Sequence, residues 1–377
     1  MNLELTDEQR ALRDTVRQFL ADRASVAVHV RSMLEDPTGT TDEVWRGLAQ
    51  LGTTGLVVPS EYDGAGMTMV EAGIVAEELG AALHPGPWLS CAVAAPRALQ
   101  RMQVADTGAT LLRGIADGSM IVTVGPLAGP RPTAVERGEG FALRGIGSLV
   151  PDVAAADMFL ILADDSEGSA LFAVQASSVG MAATPEAGVD QTRKQFQVTF
   201  EGVPAQRLAS APAHAVEALV DDVLVAWAAD ALGAAQAVMN RAVEYAKVRR
   251  QFGHPIGSFQ AVQHLCVDMY ETVELARAGV LYALWAADAA EPPERHLAAA
   301  RAKAFAARLA TVADTAIQVF GGVGYTWEHD AHLYLKRLLG WSAFVGGPDQ
   351  YLIEVGSYVA QLARDRAPTA RPTPSPS

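Results

Sequence analysis

The run EALVDDVLVAWAADALGAAQAVMNRAVEYAKVRR, residues 217–250, holds no proline and a single glycine. Alanine loses the least side-chain freedom on entering a helix, so an Ala-rich run this long reads as helix and little else. It begins close behind Pro212 and ends abruptly. The next ten residues, QFGHPIGSFQ, contain two glycines and a proline, which cannot continue it. The pattern then stays helical to about Arg366, and residues 367–377, APTARPTPSPS, form a Pro-rich tail expected to be disordered.

Ahead of the long helix the pattern is different. SMIVTVGPLAG, FALRGIG, MFLILADD, SALFAVQA and KQFQVTFEGV are short apolar or alternating runs separated by Gly, Pro and Asp, which signals strands joined by turns. Before them the chain is helical. Thr6 and Gln9 make a capping box ahead of Leu12, Val16, Phe19 and Leu20 at helical spacing. A second helix is expected from Glu43 to Leu51, stopping at Gly52, and Thr68 with Glu71 caps a third through VEAGIVAEELG. The expected fold class is therefore α+β, mostly α, in three parts: a helical domain over 1–118, a small β-domain over 119–211 and a helical domain over 212–366.

The chain's 377 residues are enough for two or three domains, and half of them are apolar, so a real core is expected. A formal net charge of −14, with no long basic block, argues against nucleic acid and anionic membrane as partners. No apolar run has the length of a membrane-spanning helix. The start, MNLELTDEQR, lacks the basic and apolar regions of a secretory signal. Cys91 and Cys266 are far apart and without metal-ligand spacing, which suggests free thiols in a reducing cytoplasm and no metal site.

Chemistry concentrates where the long helix stops. A guanidinium offers a two-pronged fork to a diphosphate, so Arg249 suits a dinucleotide pyrophosphate. Phe252 can pack on a flat ring or a ribose, and Gln260 can hydrogen-bond heteroatoms. Gly321, Gly322 and Gly324 let backbone approach a bulky ligand, since no Cβ intervenes. The plainer reading makes Arg249 and Arg250 a helix C-terminus favoured by the macrodipole and the glycines a helix stop.

YAKVRRQFGHPIGSFQ, followed some sixty residues later by AIQVFGGVGYTWEHD, resembles the acyl-CoA dehydrogenase flavoprotein family. GLVVPSEYDGAG, AEELGAAL and VTFEGVPA add to the resemblance, which covers nearly the whole chain in order. It implies an N-terminal helical domain, a β-barrel-like middle domain and a C-terminal four-helix bundle. It also implies FAD, an acyl-CoA substrate and an electron-transfer flavoprotein as acceptor. By the same resemblance, Arg249, Phe252, Gln260, Gln318, Gly321 and Gly322 reach across a dimer interface to the adenine-diphosphate arm of the neighbour's FAD.

The other half of the family's site departs from the pattern. Where members carry a TEP-x-x-GSD-like segment, this chain reads VGPLAGPR, with Val124, Gly125, Pro130 and Arg131 in place of Thr, Glu, Ser and Asp. Leu149, Val150 and Pro151 stand for the family's W-I-T beside the flavin ring. Removing an acyl α-proton needs a carboxylate within hydrogen-bond reach. The two positions where members place that Glu fall on Gly346 and Val223, so no catalytic residue is assigned. Asp222, beside the second position, and Asp349 are the candidate carboxylates that remain, Asp222 being one residue off in register and one methylene shorter. The plainer reading of Asp221–Asp222 is a solvated pair near a helix start. His254, Glu328 and His329 are not given a proton-transfer role, and WEHDAHLYLKR reads as a helix entry with a capping carboxylate.

This asymmetry is similar to that of actinobacterial α2β2 members of the family, including those that shorten steroid side chains. In these, one subunit carries the flavin-ring contacts and the Glu while its homologue supplies the arm-binding residues. The expectation is a subunit of the second kind. The rivals are a self-sufficient homo-oligomer with a relocated base and a structural homologue with no flavin role.

Overall fold

The computed structural model describes residues 4–104, 106–138 and 140–365; the Pro-rich tail over 367–377 lies outside the described residues. Helices α1 (Asp7–Arg23), α2 (Asp42–Gln50), α3 (Met69–Ala81), α4 (Ala95–Arg101) and α5 (Ala109–Ala116) come first. Thr6 and Gln9 close a reciprocal capping box on α1, and Thr68 with Glu71 does the same on α3.

Seven strands follow: β1 (Val122–Gly125), β2 (Thr133–Arg137), β3 (Gly140–Pro151), β4 (Met158–Asp165), β5 (Gly168–Gln175), β6 (Met181–Pro185) and β7 (Gln195–Ser210). Strand β4 pairs with β2, β2 with β3, β3 with β7, β7 with β5, and β5 again with β4. The sheet thus closes on itself as a small barrel, with β1 on β4 and β6 on β7 outside the ring. Its interior is apolar, with Phe159, Ile161, Phe172, Phe196, Val198 and Phe200 all buried. Closure leaves only the short strands β1 and β6 as edges, each paired on one side.

The Ala-rich run becomes α6 (Ala213–Val248), followed by a hairpin of β8 (Arg250–Gln251) and β9 (His254–Pro255). Then come α7 (Gln260–Ala289), α8 (Pro292–Ala304), α9 (Ala306–Phe320), α10 (Ala331–Ala343) and α11 (Pro348–Asp365). Helices α6, α7, α9 and α10 pack as a four-helix bundle; α8 runs into α9 through Phe305, and α11 lies against α8. From Leu224 to Ala235 every residue of α6 is buried, as expected of a helix surrounded on all sides.

Helices α3 and α6 cross without side chains between them. A Cβ on Gly80 would lie 1.8 Å from the Asp230 carbonyl oxygen, and one on Gly233 1.8 Å from that of Glu77. Only glycine fits at either position. The lone glycine of the Ala-rich run is therefore a contact point between the N-terminal domain and the bundle.

Cys91 is buried and Cys266 half-buried, and both are free thiols. Among the described residues no helix is long and apolar enough to cross a membrane.

Candidate functional site

Helix α6 ends where Arg249 turns to extended geometry, its N–H still bonded to the Tyr245 carbonyl at 2.8 Å. Phe252 and Gly253 form the hairpin tip with φ of +53° and +83°. Two successive positive φ values normally call for Asn-Gly, so an aromatic residue here is strained. Phe252 is also 90% exposed, and its ring meets Phe259 edge to face with centroids 6.1 Å apart. Strain on a residue that makes almost no local contact points to a role beyond the fold. The exposed Arg249 guanidinium has no hydrogen-bond or ion-pair partner among the described residues, and Gln260 is exposed as the first residue of α7.

Gln318 lies exposed in the last turn of α9, and Gly321 and Gly322 follow it, both exposed with nothing near the place of a Cβ. Gly321 has φ +67°, which suits glycine. The Tyr245 ring packs on Phe320 at 5.2 Å, so the ends of α6 and α9 are adjacent. The fold thus brings the two fragments that the resemblance assigns to the FAD arm to neighbouring helix ends, with the side chains of Arg249, Gln260 and Gln318 unpartnered among the described residues. Gly324 differs: it is buried, and a Cβ there would meet Phe320 at 3.0 Å, so it serves packing.

The β-domain half is committed elsewhere. Arg131 donates to Ser169 Oγ at 2.8 Å and lies 4.0 Å from Asp164. In β3 the pairing with β7 is irregular between Gly147 and Val150, and Leu149 sits there with φ +54°. Its N–H reaches Glu186 Oε2 at 3.3 Å, while Val150 is fully buried and the Pro151 carbonyl accepts the Thr123 hydroxyl at 2.6 Å. No hydroxyl, amide or aromatic group of this trio is presented to a ligand.

Val223 and Gly346, the positions the resemblance assigns to a Glu, each lie within a few residues of one aromatic stack. Val223 is fully buried, and one turn further along α6 the Trp227 ring stacks on Phe344, with centroids 5.3 Å apart and planes 6° from parallel. Phe344 is two residues before Gly346, whose φ is +101°. Leu149, Trp227 and Phe344 line a cavity of about 210 Å³. That is below the usual ligand-pocket range of roughly 300–1,000 Å³.

The solvated reading of Asp221–Asp222 is corrected. These are internal residues of α6, 2% and 0% exposed. Asp222 takes a bidentate contact from Arg101 at 2.8 and 2.9 Å, with Arg97 at 3.6 Å. Asp221 meets His296 Nδ1 at 2.8 Å. The polarity that suggested solvent is neutralised internally, because arginines from α4 and α8 reach in. Asp222 therefore holds Arg101 and Arg97 in the interior, and its oxygens face those guanidinium groups. Asp349 is exposed in the first turn of α11. The helix entry at 327–337 is also corrected: Asp330 pairs with Arg31 and Arg241, and the Ala331 N–H is taken by His329 Nδ1 at 3.1 Å. His254 and Glu328 are exposed.

A buried cluster that sequence reasoning missed joins the three parts of the chain. Arg337, 1% exposed, donates to Asp230 at 3.0 Å, to Thr192 Oγ1 at 2.9 Å and to the His84 carbonyl at 3.1 Å. Asp230 comes from α6, Thr192 from the β6–β7 loop and His84 from the end of α3. The available signal was a single Asp inside WAADALG, a charge in an otherwise apolar helix that had to find a partner. Among the described residues no group of His, Cys, Asp and Glu could hold a metal ion.

Residues 6–119 match the acyl-CoA dehydrogenase N-terminal domain, and residues 224–357 match the acyl-CoA dehydrogenase C-terminal domain. The chain belongs to the acyl-CoA dehydrogenase family. Acyl-CoA dehydrogenase IpdE2 of Mycobacterium tuberculosis is 34% identical over 357 residues, covering 94% of this chain and 98% of IpdE2. Among solved structures, a variant of the Tcur3481-Tcur3483 steroid ACAD is 30% identical with a TM-score of 0.85, covering 95% of this chain and 99% of that one. The ChsE4-ChsE5 complex from Mycobacterium tuberculosis is 26% identical with a TM-score of 0.86 and full coverage of both chains. The family's cofactor is FAD. Of the residues this acyl-CoA dehydrogenase homologue offers, those at the helix ends fit the arm of such a dinucleotide, whereas those at the β-domain do not fit its ring.

Proposed function

We propose that this chain is one subunit of a heteromeric FAD-dependent acyl-CoA dehydrogenase, which introduces an α,β-double bond into an acyl-CoA thioester. One observation carries the reading: the Arg249–Gln260 turn is exposed and the Arg249 guanidinium has no partner among the described residues, while Trp227 stacks on Phe344 beside a cavity of only about 210 Å³ and neither Val223 nor Gly346 carries a carboxylate. A homodimer would pair two usable arm sites with two unusable ring sites. The likeness to the ChsE4-ChsE5 complex supports a homologous partner. The likeness to a steroid ACAD supports a steroid-derived acyl group.

When bound, FAD supplies the hydride acceptor. In this subunit Arg249 would fork the diphosphate, Phe252 would cover a flat ring or ribose, and Gln260 and Gln318 would hydrogen-bond the arm. Gly321 and Gly322 would let the backbone approach it. The carboxylate that takes the α-proton would come from the partner, and an electron-transfer flavoprotein would be the electron acceptor.

Flavin stoichiometry tests this. Expressed alone, the chain should purify with little or no FAD; co-expressed with its partner, it should carry one FAD per pair of chains. A stable homo-oligomer with one flavin per chain, active on acyl-CoA, sinks the reading in favour of a self-sufficient enzyme.

A further inference from the structure

Two residues of the turn between α6 and α7 break local rules, and they meet each other. Phe252 takes φ +53° at the hairpin tip, a backbone that residues with side chains avoid. Phe259 stands at the N-cap of α7 and makes no side-chain cap bond, where Ser, Thr, Asp or Asn would accept a backbone N–H. Ser258, one residue earlier, donates its hydroxyl to the Pro255 carbonyl at 2.7 Å instead. The rings of Phe252 and Phe259 lie edge to face, with centroids 6.1 Å apart and planes at 89°. Aromatic rings favour this arrangement because a positive edge meets a negative face. Local preference gives way mainly where function asks for it. Here it gives way twice to bring two rings together.

The base of the turn is held by backbone. The Ile256 N–H donates to the Arg249 carbonyl at 2.7 Å, and the Phe259 N–H to that of Ile256 at 3.1 Å. A Cβ on Gly257 would lie 2.9 Å from the Ala246 carbonyl oxygen, so this part of the turn sits directly on α6. None of these contacts reaches the Phe252 side chain. A ring 90% exposed samples several rotamers unless a neighbour selects one. Phe259 is that neighbour, and it stands directly ahead of Gln260. A ring ordered before its ligand arrives avoids the cost of ordering it on binding.

We propose that Phe259 is a positioning residue for the FAD arm. It acts through the Phe252 ring, which it holds in the orientation that covers the arm, and not by contact with the cofactor. The inference rests on the reading that this turn takes the arm of the neighbour's FAD.

The experiment pairs FAD retention with a measurement on the chain without flavin. In the co-expressed complex, equilibrium dialysis should show Phe259→Leu weakening FAD retention about threefold to tenfold. Phe259→Tyr keeps the ring and should stay within about twofold of the unaltered protein. In a Phe252→Ala background, Phe259→Leu should add less than about twofold, because the ring it positions has gone. Fluorine NMR of the chain alone, labelled with para-fluorophenylalanine, identifies the Phe252 signal by its loss in Phe252→Ala. In Phe259→Leu that signal should sharpen and move towards the position of free fluorophenylalanine.

Unchanged FAD retention in Phe259→Leu overturns the proposal. So does an equal loss with Phe252 already removed, which would make Phe259 a direct contact or a residue of the fold. A Phe252 signal already at the free amino-acid position in the unaltered chain overturns it without any change at Phe259. Arg249→Ala separates this from the underlying reading. If Arg249→Ala weakens FAD retention and Phe259→Leu does not, only the positioning role falls; if neither does, the arm site falls with it.

Discussion

Trp227 and Phe344 lie face to face, 5.3 Å between centroids and 6° from parallel, one turn after Val223 on α6 and two residues before Gly346. The stack ties α6 to the segment after α10. Its neighbour Gly346, at φ +101°, has a backbone that side-chain-bearing residues avoid, and a Cβ there would meet Gln350 Oε1 at 2.8 Å. Restoring the missing carboxylate should therefore fail. Gly346→Glu should lower stability by about 1–3 kcal/mol in chemical denaturation and produce no turnover of acyl-CoA by the chain alone. Turnover on restoration would show that only the carboxylate had been lost.

Among the described residues the Arg249 guanidinium has no hydrogen-bond or ion-pair partner to lose. Arg249→Ala should leave the melting temperature of the chain unchanged while weakening FAD retention in the assembled complex roughly tenfold to hundredfold. Arg249→Lys should recover part of it, since an ammonium lacks the planar fork. Equilibrium dialysis of FAD against the complex measures both.

Asp222 separates structure from catalysis. Asp222→Asn leaves Arg101 and Arg97 facing a neutral group in the interior, which should destabilise by about 3–5 kcal/mol. The rate of flavin reduction in complex that remains folded should nonetheless stay within about twofold, because loss of a general base costs about 10²–10⁴. Asp349→Asn should alter neither quantity. Single-turnover bleaching with an acyl-CoA substrate reads the rate.

His296 bridges Asp221 and Glu354, and so joins α6 to α11. The hydrogen bond that His296 donates to Asp221, and then the pull of both carboxylates, push its pKa up to about 9 against the cost of burial. Burial pushes the Asp221 carboxyl up as well, although His296 and Arg295 oppose this. A raised folded-state pKa gives stability that is fully present below the imidazole's ordinary value near 6.5 and lost as pH rises through about 9. Buried Lys303, pushed down to about 7, contributes the opposite slope between its folded and unfolded values. The comparison is therefore with His296→Gln: the difference in melting temperature between the two proteins should shrink as pH goes from 6.5 to 9. A constant difference would assign His296 a packing role alone.

Much of the architecture was legible because it rests on local rules. The capping boxes at Thr6 and Thr68, the Ala-rich helix and the strand runs between turns each follow from a few neighbouring residues. The Arg249–Gln260 turn was legible as a motif. Its exposure was not, since that depends on what packs nearby. Asp222 was misread because its partners Arg97 and Arg101 stand more than a hundred residues earlier. Arg337 went unnoticed for the same reason: its partners arrive from three different parts of the fold. Long-range charge pairing leaves a trace only as polarity out of place.

The glycine crossing of α3 and α6 has a mechanical consequence. Side chains between two helices can change rotamer and let one helix slide along the other, but backbone seated on backbone has no such slack. The N-terminal domain and the bundle should therefore move as one rigid body, with no shear at this seam. Adaptation to a partner would fall to the closed barrel and the β8–β9 hairpin. In hydrogen exchange, α3 and the middle of α6 should open together, at the slowest rate in the chain, and Gly233→Ala should unlock both at once.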